Sequence, residues 1–481
     1  MKVNIYKTFA LALFCLASSL FAPLFAPLFA QNSGDNAASP VAKGAKPSAA
    51  VRLALGNTGP YAIIERSDWS RYENGAYIGH VYREVRASIL PAETKFPKES
   101  GAGDSGAGSG IEYQGNFFVL EETLRDMRQS ARGVDAVIPV VFRVSRGGGI
   151  AIVDDKGFPS LRGFPSYPAG AVEPGAKWSA SGSRAVDPLN EGRPVVVPLT
   201  AEYEYSGTEL YRDIPVHRIR AKYASRYQAA SSRSAGNEGF TSLQGAHTVD
   251  ILLRVSDGLP LLMRDNLDET FTWAGGRSLR FRGFTLTFGE GLTPLDREAS
   301  IAALSGALGG GAAGGSPPAE GGGGGPGDLR SKSLSRSQGV GPKVRDFPLP
   351  ETLVSETSGS LDITAVPEGI RLTLRDLRFA PDSAELLPGE KARLDAIARA
   401  LQDFPERSFL VEGHTAAVGR PEGEMRLSLE RARSITAELA ARGIQEGRFI
   451  YKGAGGDRPA ADNSTEEGRR MNRRVEITIL E

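Results

Sequence analysis

The chain has 481 residues, too many for one ordinary core, so roughly two to four domains are expected. Lys plus Arg and Asp plus Glu number 57 each, a formal net charge of zero, which gives no bulk electrostatic ground for a nucleic-acid or anionic-membrane partner. One cysteine in the whole chain excludes a disulfide framework within it.

At the N-terminus, Lys2 and Lys7 precede an apolar stretch from Phe9 to Leu20, and a repeated Phe-Ala-Pro-Leu pattern fills residues 21 to 30. This reads as an export signal over residues 1–30, cut after Ala30. Cys15 lies inside the apolar stretch; lipid attachment there is the alternative reading, disfavoured by bulky Phe14 before it. With the signal removed, the mature chain has no thiol for a disulfide, a thiolate metal site or a nucleophile. No later segment offers 18 consecutive apolar residues, so no membrane-spanning helix is expected. Residues 31–50, mostly Ala, Ser, Gly, Asn and Lys, read as a disordered leader.

Residues 51–300 read as β-rich. Ile63-Ile64, Val81 to Ile89, Val137 to Val144, Val195 to Tyr205, Ile214 to Tyr223, Val249 to Val255 and Leu279 to Phe288 are strand-like runs separated by Gly, Pro, Asn and Asp clusters. Val249, Ile251, Leu253 and Val255 alternate with polar residues, so these strands have one wet face. Ser256-Asp257-Gly258-Leu259 signals a hairpin, and the apolar phase flips at Gly283, which predicts a bulge. Leu120, Leu124 and Met127 share a helical face, predicting one helix over Leu120 to Arg132. A boundary in the Pro/Gly-rich stretch 158–175 gives two β-rich domains, 51–165 and 166–304.

Residues 305–345, with Gly321 to Gly325 and Pro317-Pro318, read as a linker; over ~40 residues its reach is roughly 35 Å, enough to separate two bodies without fixing their orientation. Residues 346–481, with a core at 369–481, alternate strands and helices. Ile370, Leu372 and Leu374 mark a strand, Leu394, Ile397, Leu401 and Phe404 a helix, and Phe409 to Val411 a strand. Met425, Ala432, Ile435 and Leu439 mark a second helix ending at Gly443, Ile450-Tyr451 a third strand, and Val475, Ile477 and Ile479 a last one. The order βαβαβ(α)β predicts an α/β sandwich, a mixed sheet with helices on one face.

Here the residues carry a family resemblance. Phe379 to Leu386 with Pro388-Gly389, then Gly413-His414-Thr415, Gly419, Leu427-Ser428 and Arg431-Ala432, then Pro459, Asn463, Gly468 and Asn472-Arg473-Arg474-Val475-Glu476 resemble the OmpA-like family in order and spacing, over about a quarter of the chain. The whole arrangement resembles multi-domain envelope proteins of treponemes, which are spirochaetes. The resemblance implies a peptidoglycan-type site at Thr415, Ala416, Gly419, Glu424, Arg431, Asn472 and Arg473. Two positions depart from the family: Ala416 stands where it has Asp, and Glu424 where it has Asn. In the family that Asp accepts from the amine of the wall diamino acid, usually diaminopimelate, while the Arg of the Arg-Ala pair grips its carboxylate. A zwitterionic ligand end needs an anion and a guanidinium at fixed separation. Arg431 supplies the second and Ala416 cannot supply the first, so binding is expected to be weakened or altered. Glu424 is the candidate substitute carboxylate, or simply a glutamate favourable with the helix dipole. Arg431 is either the ligand clamp or a structural residue bonding loop carbonyls or Glu424, two helical turns before it, and which of Arg473 and Arg474 contacts ligand is open.

Other chemistry finds little footing. His80, His217, His247 and His414 are scattered without ligand spacing, and Asp265, Asp268 and Glu269 read as solvated loop carboxylates. No catalytic residue, metal or cofactor is expected. The chain reads as a non-catalytic envelope protein, exported to the periplasm and associated with the outer membrane or cell wall in a structural or tethering role. Its expected partner is peptidoglycan or a modified wall peptide, with other envelope proteins as further partners. The alternative is an outer-membrane β-barrel formed by residues 51–300.

Overall fold

The computed structural model describes residues 50–92, 110–120, 132–229, 239–309, 354–357, 361–381 and 383–481. The expected signal, the leader except Ala50, and residues 310–350 lie outside these residues. So does the interior of the expected helix: Leu120 ends one strand and Arg132 begins the next. The chain is multi-domain, a large β-rich region followed by a C-terminal α/β region.

The β-rich region contains β1 (Tyr61–Glu73), β2 (Ala76–Pro91), β3 (Gly110–Leu120), β4 (Arg132–Ser145), β5 (Ile150–Ile152), β6 (Leu161–Arg162), β7 (Lys177–Val186), β8 (Val195–Tyr211), β9 (Ile214–Gln228), β10 (Ser242–Arg254), β11 (Pro260–Thr272) and β12 (Ser278–Gly291). Two antiparallel meanders, β1 to β5 and β6 to β12, are joined where β1 pairs with β12 from Tyr61↔Gly291 to Glu73↔Leu279. One continuous sheet therefore runs through the stretch 158–175, with β6 on one side of residue 165 and β7 on the other. Every expected run but one falls inside a strand; Val249 to Val255 overruns β10, and Val255 is exposed in the turn that follows. Most strands are longer than their runs, because polar residues on the wet face extend the ladder beyond the apolar signal.

Alternation does the packing. In β9 the burial of Val216, Ile219, Ala221 and Tyr223 alternates with exposed Arg220 and Lys222, and the inward rows meet in a core that includes Ile89, Phe142, Tyr205, Ile251 and Leu253. The β10–β11 hairpin forms as expected. Gly258 at its turn has φ +68°, and a Cβ there would stand 2.0 Å from the Ala54 carbonyl oxygen. At Gly283 the expected bulge is absent: pairing with β1 and β11 runs through without a shift. The phase change instead reflects two apolar faces, since Leu279 and Phe281 point inward while Phe284 and Phe288 lie outward under the guanidinium groups of Arg264 and Arg66. Gly283 is needed there because a Cβ would stand 2.1 Å from the Asp68 carbonyl oxygen.

The C-terminal region contains α1 (Arg297–Gly309), β13 (Val354–Thr357), β14 (Leu361–Val366), β15 (Gly369–Arg375), α2 (Lys391–Gln402), β16 (Phe409–Gly413), α3 (Pro421–Ala440), β17 (Phe449–Gly453), α4 (Glu466–Asn472) and β18 (Arg474–Leu480). The sheet order is β13-β14-β15-β18-β16-β17, antiparallel except for the β16–β17 pair. Leu372, Ile397, Leu401, Phe409, Ile435, Leu439 and Ile477 fill its core. Helix α1 occupies residues 305–309, where the linker was expected to start, and Ile301 and Leu304 are buried in this same core.

The two regions touch, which corrects the expectation of bodies held apart by a tether. Ile450 and Tyr451 of β17 pair in parallel with Arg132 and Gly133 of β4. Phe118 and Leu120 of β3 pack on Leu410, Ile450 and Leu480, and the Arg86 Nη1 donates to the Gly447 carbonyl at 2.7 Å. The described part of the segment from Ser48 to Glu481 is one compact unit.

Candidate functional site

The site is built on the mouth of the C-terminal sheet. The loop between β15 and α2 folds back so that Phe379 bridges Leu386, and Leu387 N donates to the Arg378 carbonyl. Helix α3 projects Arg431 toward this loop, where its Nε donates to the Ser383 carbonyl at 3.2 Å and its guanidinium lies 4.8 Å from the Phe379 ring centroid. Helix α4 and the start of β18 bring Arg470, Arg473 and Arg474 to the opposite wall.

Between them is a cleft of about 750 Å³ lined, among the described residues, by Arg378, Arg393, Arg431, Arg470, Arg473 and Arg474 against Asp376 and Glu390. Glu390, buried, accepts from Arg378 at 3.2 Å; Asp376 meets Arg470 at 3.3 Å; Arg473 turns to Glu466 at 2.8 Å. Arg474 donates through Nε to Glu476 at 2.7 Å, while its buried Nη1 has no hydrogen-bond partner. Burial pushes the Arg393 guanidinium below its ordinary value, with Glu390 and Asp376 opposing. Six guanidinium groups against two lining carboxylates make this an anion-seeking cleft, and the planar forks suit carboxylates.

Arg431 and Arg473 of the expected site line this cleft; Thr415, Ala416, Gly419, Glu424 and Asn472 do not. Thr415 is buried, its N–H donating to the Gly455 carbonyl at 2.9 Å and its Oγ1 unpartnered. Ala416 is 4% exposed. Glu424 does not reach Arg431: its carboxylate accepts from Val418 N at 2.8 Å and Gly419 N at 2.5 Å, tying the loop to the first turn of α3. Asn472 is fully buried, with Oδ1 accepting from Ala460 N and Ala461 N and Nδ2 donating to the Ala461 carbonyl and Asn463 Oδ1. Its amide holds the loop before α4. Sequence reading missed Arg378, Arg393 and Arg470; their only signal was a density of arginine on either side of the motif.

His414 is buried between Glu412 and Glu476, with one possible ligand atom from each residue lying within 4.8 Å of the others. A divalent cation would meet little unbalanced negative charge there. Lys452 at 3.1 Å and Arg458 at 3.3 Å already face Glu412, and Arg371 at 3.3 Å and Arg474 at 2.7 Å face Glu476.

The β-rich region holds a second polar cluster that corrects the reading of its carboxylates as loop groups. Asp265 and Glu269 are buried on β11, because residues two and four apart on a strand share a face. His247 Nδ1 lies 2.9 Å from Asp265 Oδ2 and its Nε2 2.7 Å from Glu269 Oε1; Arg184 donates to Glu269 at 2.6 Å and Tyr223 to Asp265 at 2.9 Å. Burial alone would raise the Glu269 carboxyl, but the Arg184 guanidinium and His247 pull it down to about 2.

Residues 378–473 match the model of the OmpA family. The chain is 35% identical over 120 residues to the "Probable lipoprotein YiaD" of Escherichia coli (strain K12), covering 25% of this chain and 55% of that protein. It is 34% identical over 103 residues to the "Peptidoglycan-binding protein ArfA" of Mycobacterium tuberculosis (strain ATCC 25618 / H37Rv), covering 21% of this chain and 32% of that one. It thus spans about half or less of these curated relatives. Among solved structures, an outer membrane protein from Borrelia burgdorferi B31 is 32% identical, with 25% of this chain and 98% of that chain covered at a TM-score of 0.22.

Proposed function

We propose that the OmpA-family domain this chain carries at its C-terminus docks an exported, non-catalytic envelope protein onto the cell wall, by gripping a carboxylate of the wall peptide in the arginine-lined cleft. The family is one of peptidoglycan-binding envelope proteins with structural roles, and its relatives here include outer-membrane and peptidoglycan-associated proteins. The observation that carries the proposal is Arg431, held over Phe379 by the Ser383 carbonyl at the wall of a cleft whose lining is dominated by guanidinium groups. Its planar fork is oriented in advance, so less freedom is lost on binding.

Where the family places an acceptor for the ligand amine, Ala416 offers a methyl group. Glu424 is no substitute, because its Oε1 accepts from both Val418 N and Gly419 N, which turns the carboxylate onto the loop. The cleft therefore suits a wall-peptide carboxylate better than a free zwitterionic diamino acid, and free diaminopimelate binds weakly. The outer-membrane barrel is the weaker reading for residues 51–300: Glu202, Glu204, Arg220 and Lys222 stand on the outward faces of β8 and β9, where lipid would exact a cost of about 2–4 kcal/mol for a mid-bilayer Arg or Lys.

Co-sedimentation with purified sacculi tests the proposal. The unaltered protein is expected to pellet, Arg431→Gln to lose about 10- to 100-fold in affinity, and Ala416→Asp to gain free diaminopimelate binding by a similar factor. Sacculus binding that Arg431→Gln leaves unchanged would place the wall contact elsewhere.

A further inference from the structure

A second cavity, of about 240 Å³, lies in the β-rich region, where inward faces of β1, β2, β10, β11 and β12 meet the loops before β6 and before β8. Inward rows of a sheet are normally apolar. On β1, however, Glu65, Ser67, Trp69 and Arg71 share the inward face, and the register sets Arg83 of β2 opposite Ser67. Polar residues at positions where alternation calls for core are a departure that usually marks function.

The unmet hydrogen-bonding capacity at this cavity is on the donor side. Trp69 Nε1, Arg71 Nε and Arg83 Nε are each buried with no hydrogen-bond partner among the described residues. Arg71 makes no hydrogen bond or ion pair among the described residues, and Arg83 donates only to Asn190 Oδ1, at 2.8 Å. The acceptors are mostly engaged: Asp265 and Glu269 by His247, Tyr223 and Arg184, Asp187 by the backbone N–H groups of Glu191, Gly192 and Arg193, and Asp135 by Asn190 at 3.1 Å. Glu65 meets only Ser160 Oγ, at 3.5 Å, and burial pushes its carboxyl up from the ordinary range. Lys156, Thr285 and Thr287 add further polar groups, and the rest of the wall, including Phe164, Val249, Met263 and Phe281, is apolar.

We infer that this cavity binds a small amphipathic monocarboxylate, its carboxylate taken by the open N–H groups of Arg71, Arg83 and Trp69 and its hydrocarbon part laid against Met263 and the phenylalanines. The argument is one of complementarity. Buried donors without acceptors cost stability unless something supplies an acceptor, and an apolar wall beside them rejects a small hydrophilic anion. A long chain is excluded by the volume.

Calorimetry on the purified protein, with decanoate, decanol and decylamine as probes below their micellar concentrations, decides the matter. Decanoate is expected to bind one-to-one, with decanol about 10- to 100-fold weaker and decylamine not binding. Arg71→Gln should weaken decanoate by the same factor without lowering the unfolding midpoint, since Arg71 has no partner among the described residues to lose. Thr287→Phe, which fills the cavity from β12, should abolish binding and keeps the test open if an arginine variant folds poorly. Equal affinity for all three probes, no saturation with decanoate below millimolar, or indifference to both substitutions would overturn the inference.

Discussion

Glu269→Gln is the most informative substitution in the β-rich region, because it removes one charge from a cluster whose members are buried apart from half-buried Arg184. The carboxylate is held by Arg184 at 2.6 Å and His247 at 2.7 Å. Partners that bring a carboxyl from 4.5 to about 2 stabilise the fold by about 3 kcal/mol at neutral pH. That agrees with the about 3–5 kcal/mol typical of breaking a buried pair. Because its folded value is depressed, this contribution is present above pH 4.5 and is lost as pH falls toward 2. For His247, burial opposes the charge but Asp265 and Glu269 outweigh it and raise its value above 6.5, so its contribution is full below pH 6.5 and is lost as pH rises past it. Both are in place together between pH 4.5 and 6.5, where the protein is expected to be most stable. Urea unfolding followed by tryptophan emission is the assay, since all three tryptophans, Trp69, Trp178 and Trp273, lie in this region. The variant should lose about 3 kcal/mol at pH 7, narrowing to about 1 kcal/mol at pH 3 as the parent protein itself loses the charge. A loss below about 1 kcal/mol at pH 7, or one of the same size at both pH values, would mean that the cluster is solvated and the reasoning fails.

Two further outcomes follow from contacts described above. Proteolysis within residues 310–350 should leave both fragments eluting together in gel filtration, whereas Phe118→Ala, which empties the contact with Leu410, Ile450 and Leu480, should cost about 3 kcal/mol and let the nicked halves part; separation of the nicked parent protein would deny the interface. Asn472→Ala, which strands the two N–H groups of Ala460 and Ala461, should lower C-terminal domain stability by about 2–4 kcal/mol, read by thermal circular dichroism, and a neutral result would contradict the burial of that amide.

What sequence could convey depended on whether an interaction is local. The β10–β11 turn and the inward row of Val249, Ile251 and Leu253 in β10 were legible because periodicity and turn chemistry are written in consecutive residues, whereas α3 stops at Ala440, short of the expected end at Gly443. Of the residues named from the OmpA-type motif, Arg431 and Arg473 line the cleft and Thr415, Ala416, Gly419, Glu424 and Asn472 do not. The partners were not legible. His247, Asp265, Glu269 and Arg184 come from three strands, and only the register of β10 with β11 puts histidine among carboxylates. Likewise Glu424 was weighed as a partner of Arg431 from helical spacing alone, while the backbone of the preceding loop, which curls onto it, left no mark in the sequence.

Helix α1 ends at Gly309 and β13 begins at Val354, and both ends pack on the C-terminal body. The intervening stretch therefore leaves and re-enters the same body, whatever path it takes. If the wall pulls on the cleft, tension cannot pass through that stretch in series. It must instead cross from β17 to β4, through the contact of Phe118 and Leu120 with Leu410, Ile450 and Leu480, and along the short run between β12 and α1. Lengthening the glycine-rich stretch would accordingly leave the mechanical compliance of the link unchanged, while loosening the run at Leu292–Asp296 would soften it.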